Sequence, residues 1–233
     1  MLSYKNESWV EKFRPKKIEE IISQKNIISS MKGILKTKNM PHLLFFGPSG
    51  CGKTSTILAL TRELFTDKYF NERVIELNAS DERGIKVVRE KIKRYAQNSV
   101  NIIKDIPNFK VIILDEADSM TSESQYALRK IMEDYSHVTR FCIICNYYQK
   151  IIEPIISRCS IFRFKPINIK QNLNKLNNIC IFQNLNYSNN NLNKIVNICR
   201  GDLRKSINFL QKCKKNNNII NDDIINSISG LIP

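Results

Sequence analysis

The sequence predicts an α/β fold, a parallel sheet with helices on both faces, over residues 1–165, followed by a small all-helical domain over residues 166–233. Strand-like apolar runs alternate with helix-like segments as far as residue 164, which is typical of parallel sheets. A glycine-rich loop separates the first of these strands from the first helix. After Lys165 and Pro166 no strong strand pattern follows, and short helical patterns take over.

The elements follow from the spacing of apolar residues. The predicted strands are 42–46, 74–78, 111–114, 140–145 and 160–164. The predicted helices of the first domain are 54–65, 84–96, 122–132 and a short one near 151–157. Those of the second domain are 169–183, 189–199, 203–213 and 222–228. Because ligands of parallel sheets bind at the carboxyl ends of the strands, we expect a site beside the glycine-rich loop.

That loop, GPSGCGKT from Gly47 to Thr54, has the spacing of a phosphate-binding loop. Glycines let successive N–H groups turn inward around an anion, and the next helix adds its positive N-terminal end. Lys53 offers a charge to the β- and γ-phosphates, and Thr54 offers a hydroxyl to Mg²⁺. The alternative is an ordinary glycine-rich turn. The expected ATP-binding residues here are Gly47, Pro48, Ser49, Gly50, Cys51, Gly52, Lys53, Thr54 and Ser55.

The composition limits the classes of protein. The net charge is +15, which suits a polyanionic partner, although AT-rich codons also enrich lysine, asparagine and isoleucine.

The odd count of seven cysteines forms no disulfide framework and predicts a reducing compartment. Cys142 and Cys145 lie in a strand-like run, so two buried thiols are a better interpretation than half a zinc site. The polar start and the lack of a run of about 20 apolar residues predict a soluble intracellular protein.

Polar and charged residues at the ends of several predicted elements are further candidates for the site. Asp115 and Glu116 come directly after an apolar strand, where one carboxylate can hold Mg²⁺ through water and the other can polarise an attacking water. A solvated acidic turn is the alternative. Asn146 ends the next strand and could touch the γ-phosphate or orient the attacking water, with an ordinary turn residue as the alternative. Arg158 precedes the last strand and could supply a cation to a neighbouring subunit's phosphoryl-transfer site, with a solvated surface arginine as the alternative. Arg204 begins a helix of the second domain, where it could respond to nucleotide.

Taken together, these motifs resemble the small subunits of replication factor C, the clamp loader of the AAA+ ATPases. The resemblance spans essentially the whole chain and comes nearest to the eukaryotic subunit 4 type, with archaeal small subunits also similar. It rests on SWVEKFRPKKIEEII, GPSGCGKTS, ELNASDERGIKVVREKI, ILDEADSMT, ICN, ISRCSIFRFKP and GDLRKSI. It implies an AAA+ domain with a helical lid, and a third, collar domain for which this chain has no counterpart.

The resemblance also implies roles for single residues. Val10, Arg14 and Pro15 match the box that packs on adenine, with Phe13 in place of the usual tyrosine. Ser49 and Cys51 replace a proline and a threonine of the usual loop. The implied roles at the reaction centre are Lys53 and Thr54 for phosphate and Mg²⁺, Asp115 for the metal, Glu116 as general base, Asn78 as the switch that restrains Glu116, Asn146 as sensor 1, Arg204 as sensor 2, and Arg158 as an arginine finger acting in trans.

The partners are implied in the same way. They are the other replication factor C subunits in a heteropentamer, the sliding clamp PCNA, and primer–template DNA bound without sequence preference in the nucleus, with no membrane. The expected DNA contacts are Lys86, Arg89, Arg83 and Arg129. Two other functions stay open: a non-catalytic nucleotide-binding scaffold, and another AAA+ DNA-processing ATPase such as an origin-recognition or Holliday-junction motor.

Overall fold

A computed structural model describes residues 8–80, 85–98, 101–214 and 219–230. Its centre is a five-stranded sheet of strand order β2-β3-β4-β1-β5, and every pairing in it is parallel. The strands are β1 Leu43–Phe46, β2 Val74–Asn78, β3 Lys110–Asp115, β4 Thr139–Cys145 and β5 Ser160–Arg163. The predicted α/β fold is therefore confirmed, and each predicted strand lies within one residue of its observed limits.

Helices connect these strands and make up the C-terminal part of the chain. The helices before β5 are α1 Trp9–Lys12, α2 Lys25–Thr37, α3 Lys53–Arg73, α4 Ile85–Gln97, α5 Ser122–Asp134 and α6 Glu153–Ile156. Those after β5 are α7 Ile169–Phe182, α8 Asn189–Ile198, α9 Leu203–Lys214 and α10 Asp222–Ser229. Short 3₁₀ turns lie at Ile18–Glu20, Ala117–Ser119 and Tyr148–Lys150. No helix in the described ranges is long and apolar enough to cross a membrane.

Three helical features differ from the sequence prediction. Helices α1 and α2 were not predicted, although Ile27, Met31 and Ile34 of α2 are buried at helical spacing. Helix α3 continues to Arg73 instead of ending near residue 65, and Thr66 interrupts its regular geometry with φ 60° and ψ 161°. The extension was missed because it is largely polar.

The sheet positions the candidate site through its register. Strands β3 and β4 lie in the middle of the sheet, and their apolar residues are almost fully buried. Asn78 at the end of β2 is in register with Asp115 at the end of β3, and Phe46 of β1 is in register with Cys145 of β4. The carboxyl ends of four strands thus meet at one edge of the sheet.

By its internal packing the chain divides into a sheet unit, residues 15–48 and 52–164, and a helical unit, residues 1–14, 49–51 and 165–233. The domain boundary predicted at residue 165 stays a prediction. The core of the helical unit includes Trp9 of α1, whose backbone N–H donates to Gln211 Oε1 at 3.0 Å. Four residues are too few to show helical periodicity, which is why α1 gave no sequence signal.

The cysteines at the centre of the sheet are buried, as predicted. Cys142 and Cys145 of β4 are each at most 1% exposed. Burial raises the pKa of the Cys145 thiol to about 12, so it stays protonated at neutral pH. Cys51 is only 2% exposed, which fits a small residue packed inside the loop and not a reactive thiol.

Candidate nucleotide-binding and catalytic site

The loop after β1 has a backbone that only glycine allows at its first position. Gly47 has φ +148°, and a Cβ built on it would lie 2.3 Å from the carbonyl oxygen of Phe164. Gly52, with φ +96°, is the residue immediately before helix α3. These positions explain two of the three motif glycines by close approach and by left-handed geometry.

Lys53 is the first residue of α3 and is 8% exposed. Its Nζ donates to Gly47 O at 2.7 Å, to Pro48 O at 2.8 Å and to Asn146 Oδ1 at 2.9 Å. The carbonyls belong to the loop and Asn146 follows β4, so adjacency of β1 and β4 brings these groups together. A buried ammonium held by neutral oxygens can exchange them for phosphate oxygens, which form stronger, charge-assisted bonds.

Beside Lys53 lie two oxygen ligands of the kind Mg²⁺ prefers. Thr54 Oγ1 donates to Asp115 Oδ2 at 2.6 Å, which joins the first turn of α3 to the end of β3. Ser55 follows Thr54 in the same turn. A hydroxyl and a carboxylate so close together fit the oxygen-only coordination of Mg²⁺. The residues present are therefore suited to the ATP and Mg²⁺ that the sequence predicts.

Glu116 has an unusual backbone for its residue type. Its φ of 55° and ψ of 36° are left-handed, a conformation that costs a non-glycine residue free energy. Its N–H donates to Asp115 Oδ1 at 2.8 Å, and its carbonyl accepts from Ser119 N at 2.9 Å. The residue is exposed, so its carboxylate can meet water next to the Thr54–Asp115 pair.

Arg158 lies between α6 and β5, where a carboxylate and a carbonyl hold it. Its Nη1 donates to Pro154 O at 2.7 Å, and its Nη2 forms an ion pair with Glu133 Oε1. Glu133 Oε2 also lies 3.5 Å from Arg129 Nη2. Two predicted functional arginines therefore share one carboxylate, a contact that sequence reasoning missed.

Comparison with known proteins identifies the family. The family described as ATPase family associated with various cellular activities (AAA) matches residues 43–167. Replication factor C subunit 4 of Homo sapiens is 50% identical over 231 residues, which cover 97% of this chain and 64% of that protein. Replication factor C subunit 2 of Saccharomyces cerevisiae is 44% identical over 99% of this chain and 69% of that protein. This chain belongs to the replication factor C small subunits of the AAA ATPase family.

Further comparisons agree with this family and with the fold. The replication factor C small subunit of Aeropyrum pernix is 48% identical over 87% of this chain and 61% of that protein. This replication factor C chain thus spans roughly two thirds of the length of these curated relatives. The Thermotoga maritima RuvB Holliday junction branch migration motor matches with a TM-score of 0.70 at 16% identity, over 94% of this chain and 72% of that one. At that identity the match shows the fold alone.

Asn78, the predicted switch, has a local partner in this replication factor C chain. Its Oδ1 accepts from Ser80 N at 2.9 Å and from Ser80 Oγ at 2.8 Å. Among the hydrogen bonds of the described residues, none joins Asn78 to Glu116. The restraining role of Asn78 stays a prediction.

Several predicted ATP contacts lie in the helical unit. Val10 packs on the helical core, Arg14 pairs with Glu11, and Arg204 is the second residue of α9. Ser49 Oγ donates to Asp202 Oδ2 at 2.9 Å within that unit. The roles of these residues at the nucleotide stay predictions.

The predicted DNA-binding residues are described unevenly. Lys86 and Arg89 belong to helix α4, but their side chains lie outside the described part of the structure. Arg83 falls outside the described residues altogether. Arg129 lies on α5, where it pairs with Glu133.

The structure also places Gln125 in a buried bridge that sequence reasoning missed. This side chain of α5 is 2% exposed. Its Nε2 donates to Lys150 O and its Oε1 accepts from Ile152 N, both at 2.9 Å. A glutamine on an amphipathic helix is usually solvated, so no sequence signal marked it.

Proposed function

We propose that this chain is an ATP-hydrolysing subunit of a clamp loader, which opens the sliding clamp PCNA and loads it onto primer–template DNA during replication and repair. The observation that carries the proposal is the meeting of Lys53, Asn146 and the Thr54–Asp115 pair at the sheet edge. Membership of the replication factor C small subunits supports the choice of task.

ATP binding is assigned to the loop and the residues around it. The loop N–H groups and Lys53 hold the phosphates. When Lys53 exchanges its hydrogen bond with Asn146 for a phosphate oxygen, the Asn146 side chain is free to contact the terminal phosphate. Thr54 and Asp115 hold Mg²⁺, which supplies positive charge to the phosphate oxygens. Val10 and Arg14 are assigned to the adenine, and Arg204 to the response of the helical unit.

Hydrolysis requires a base and a second cation. Glu116 takes the proton of the attacking water, for which its exposed position suits it. Arg158 serves the ATP of a neighbouring subunit, where it neutralises the charge that develops in the transition state. Asn78 is proposed to restrain Glu116 until DNA is bound. Hydrolysis drives a conformational change of the assembly, after which the clamp is released and remains closed around the DNA.

The DNA contacts are proposed to be electrostatic. Lys86, Arg89, Arg83 and Arg129 contribute to a chain of net charge +15, and contacts to phosphates give salt-dependent binding without sequence preference. Other replication factor C subunits complete the assembly, in the nucleus.

The test is ATP turnover and clamp loading by an assembly reconstituted with the full-length protein. Lys53→Ala should lower ATP binding at this site and clamp loading by the assembly. Glu116→Gln should retain bound ATP without cleaving it. Lys68→Ala is the matched control, since Lys68 is exposed on the same helix, and it should behave as wild type. Unchanged turnover and loading in both site variants would favour a non-catalytic nucleotide-binding scaffold.

A further inference from the structure

We propose that Glu133 is the positioning residue of Arg158: it holds the guanidinium in the orientation in which Arg158 reaches a neighbouring subunit's ATP. The inference rests on the proposed role of Arg158 in trans and adds a residue to that site. It rests on the ion pair in which Arg158 Nη2 donates to Glu133 Oε1.

Two separate elements fix the guanidinium. Glu133 comes from α5, while Pro154, whose carbonyl oxygen lies 2.7 Å from Arg158 Nη1, comes from α6. Both helices are anchored in the sheet unit, α5 by buried Ile131 and Met132 and α6 by buried Ile155 and Ile156. A planar guanidinium bound at two nitrogens has its plane as well as its position restricted.

This restriction matters because an arginine side chain has many rotamers. A cation that must meet charge only in the transition state works best when it is already oriented. Guanidinium carries five N–H donors, and the contacts with Glu133 and Pro154 use two of them. Arg158 is 38% exposed in its side chain, so donors remain available to a phosphate from another subunit.

Arg129 holds Glu133 in turn. Its Nη2 lies 3.5 Å from Glu133 Oε2, one helical turn away on α5, so the carboxylate bridges two arginines. The side chains are exposed by 39% for Arg129 and 34% for Glu133. Water and salt therefore screen the cluster, and we expect a modest contribution from Glu133.

The experiment measures steady-state ATP hydrolysis by a reconstituted assembly of full-length subunits in which only the site that receives Arg158 is active. Glu133→Gln should lower kcat about twofold to fivefold with little change in KM. Arg158→Ala should lower kcat by about 1000-fold or more. Glu19→Gln is the matched control, because Glu19 forms an exposed ion pair with Lys32 at 2.7 Å, and it should leave turnover unchanged.

A double-mutant cycle separates positioning from a structural effect. In the Arg158→Ala background, Glu133→Gln should cause no further loss, since nothing remains to be positioned. An equal fractional loss in both backgrounds, or no loss in the wild-type background, overturns the inference while leaving Arg158 in its role. Unchanged turnover in Arg158→Ala overturns the proposed role of Arg158 and the inference with it.

Discussion

Replacing Gly47 by alanine tests the close approach on which the phosphate-binding loop depends. The added Cβ would lie 2.3 Å from Phe164 O, whereas such contacts essentially never fall below 3.0 Å, so the two backbones must separate by about 0.7 Å. Phe164 cannot retreat easily, because it is 1% exposed and its N–H donates to Phe46 O at 2.7 Å. Overpacking and strain of this kind cost about 1–3 kcal/mol.

That cost corresponds to a thermal midpoint lowered by about 2–12 °C for a chain of this size, which calorimetry can measure. ATP affinity should fall as well, because the loop is displaced. Gly33→Ala is the matched control: Gly33 lies in α2, and a Cβ added there would have no neighbouring atom within 4 Å, so alanine should stabilise by about 0.5–1 kcal/mol. If Gly47→Ala melted at or above the wild-type temperature, the reasoning from the close contact would be refuted.

Two further predictions concern single residues of the sheet unit. Glu116→Gly and Glu116→Gln should both abolish hydrolysis. The glycine variant should have a free energy of unfolding about 1 kcal/mol higher than the glutamine variant, and so a higher urea midpoint, because glycine tolerates the φ of 55°. Equal urea midpoints would contradict the strain at this position. Burial, with a smaller effect of Arg140, lowers the pKa of His42 to about 4 from its ordinary 6.5. The unfolded chain therefore binds a proton at His42 more readily than the folded protein does, and above pH 6.5 this residue does not destabilise the fold. As the pH falls from 6.5 towards 4, the free energy of unfolding should fall by at most about 3 kcal/mol. His42→Gln, which keeps an acceptor for the Phe141 N–H, should flatten the dependence of urea midpoint on pH between 6.5 and 4, and an unchanged slope would count against His42 as its source.

Much of the fold was readable because its signals are local. Apolar runs located all five strands, and the spacing from Gly47 to Thr54 located the loop. Helix α2 has apolar residues at helical spacing, although the sequence prediction did not include it, whereas the polar second half of α3 has no such spacing. Helices and strands depend on the spacing of apolar residues over short stretches of chain, and this spacing is visible in the sequence.

The arrangement of the candidate site was decided by tertiary structure. The sequence by itself determined the residue types, their order and their placement at strand ends, so Lys53, Asp115 and Asn146 could be named. Only the strand order placed Asn146 beside Lys53, and only the packing of α5 and α6 brought Glu133 to Arg158, 25 residues away. Contacts between distant residues depend on strand order, register and helix packing, which arise from the whole core and leave no periodic signal at either residue.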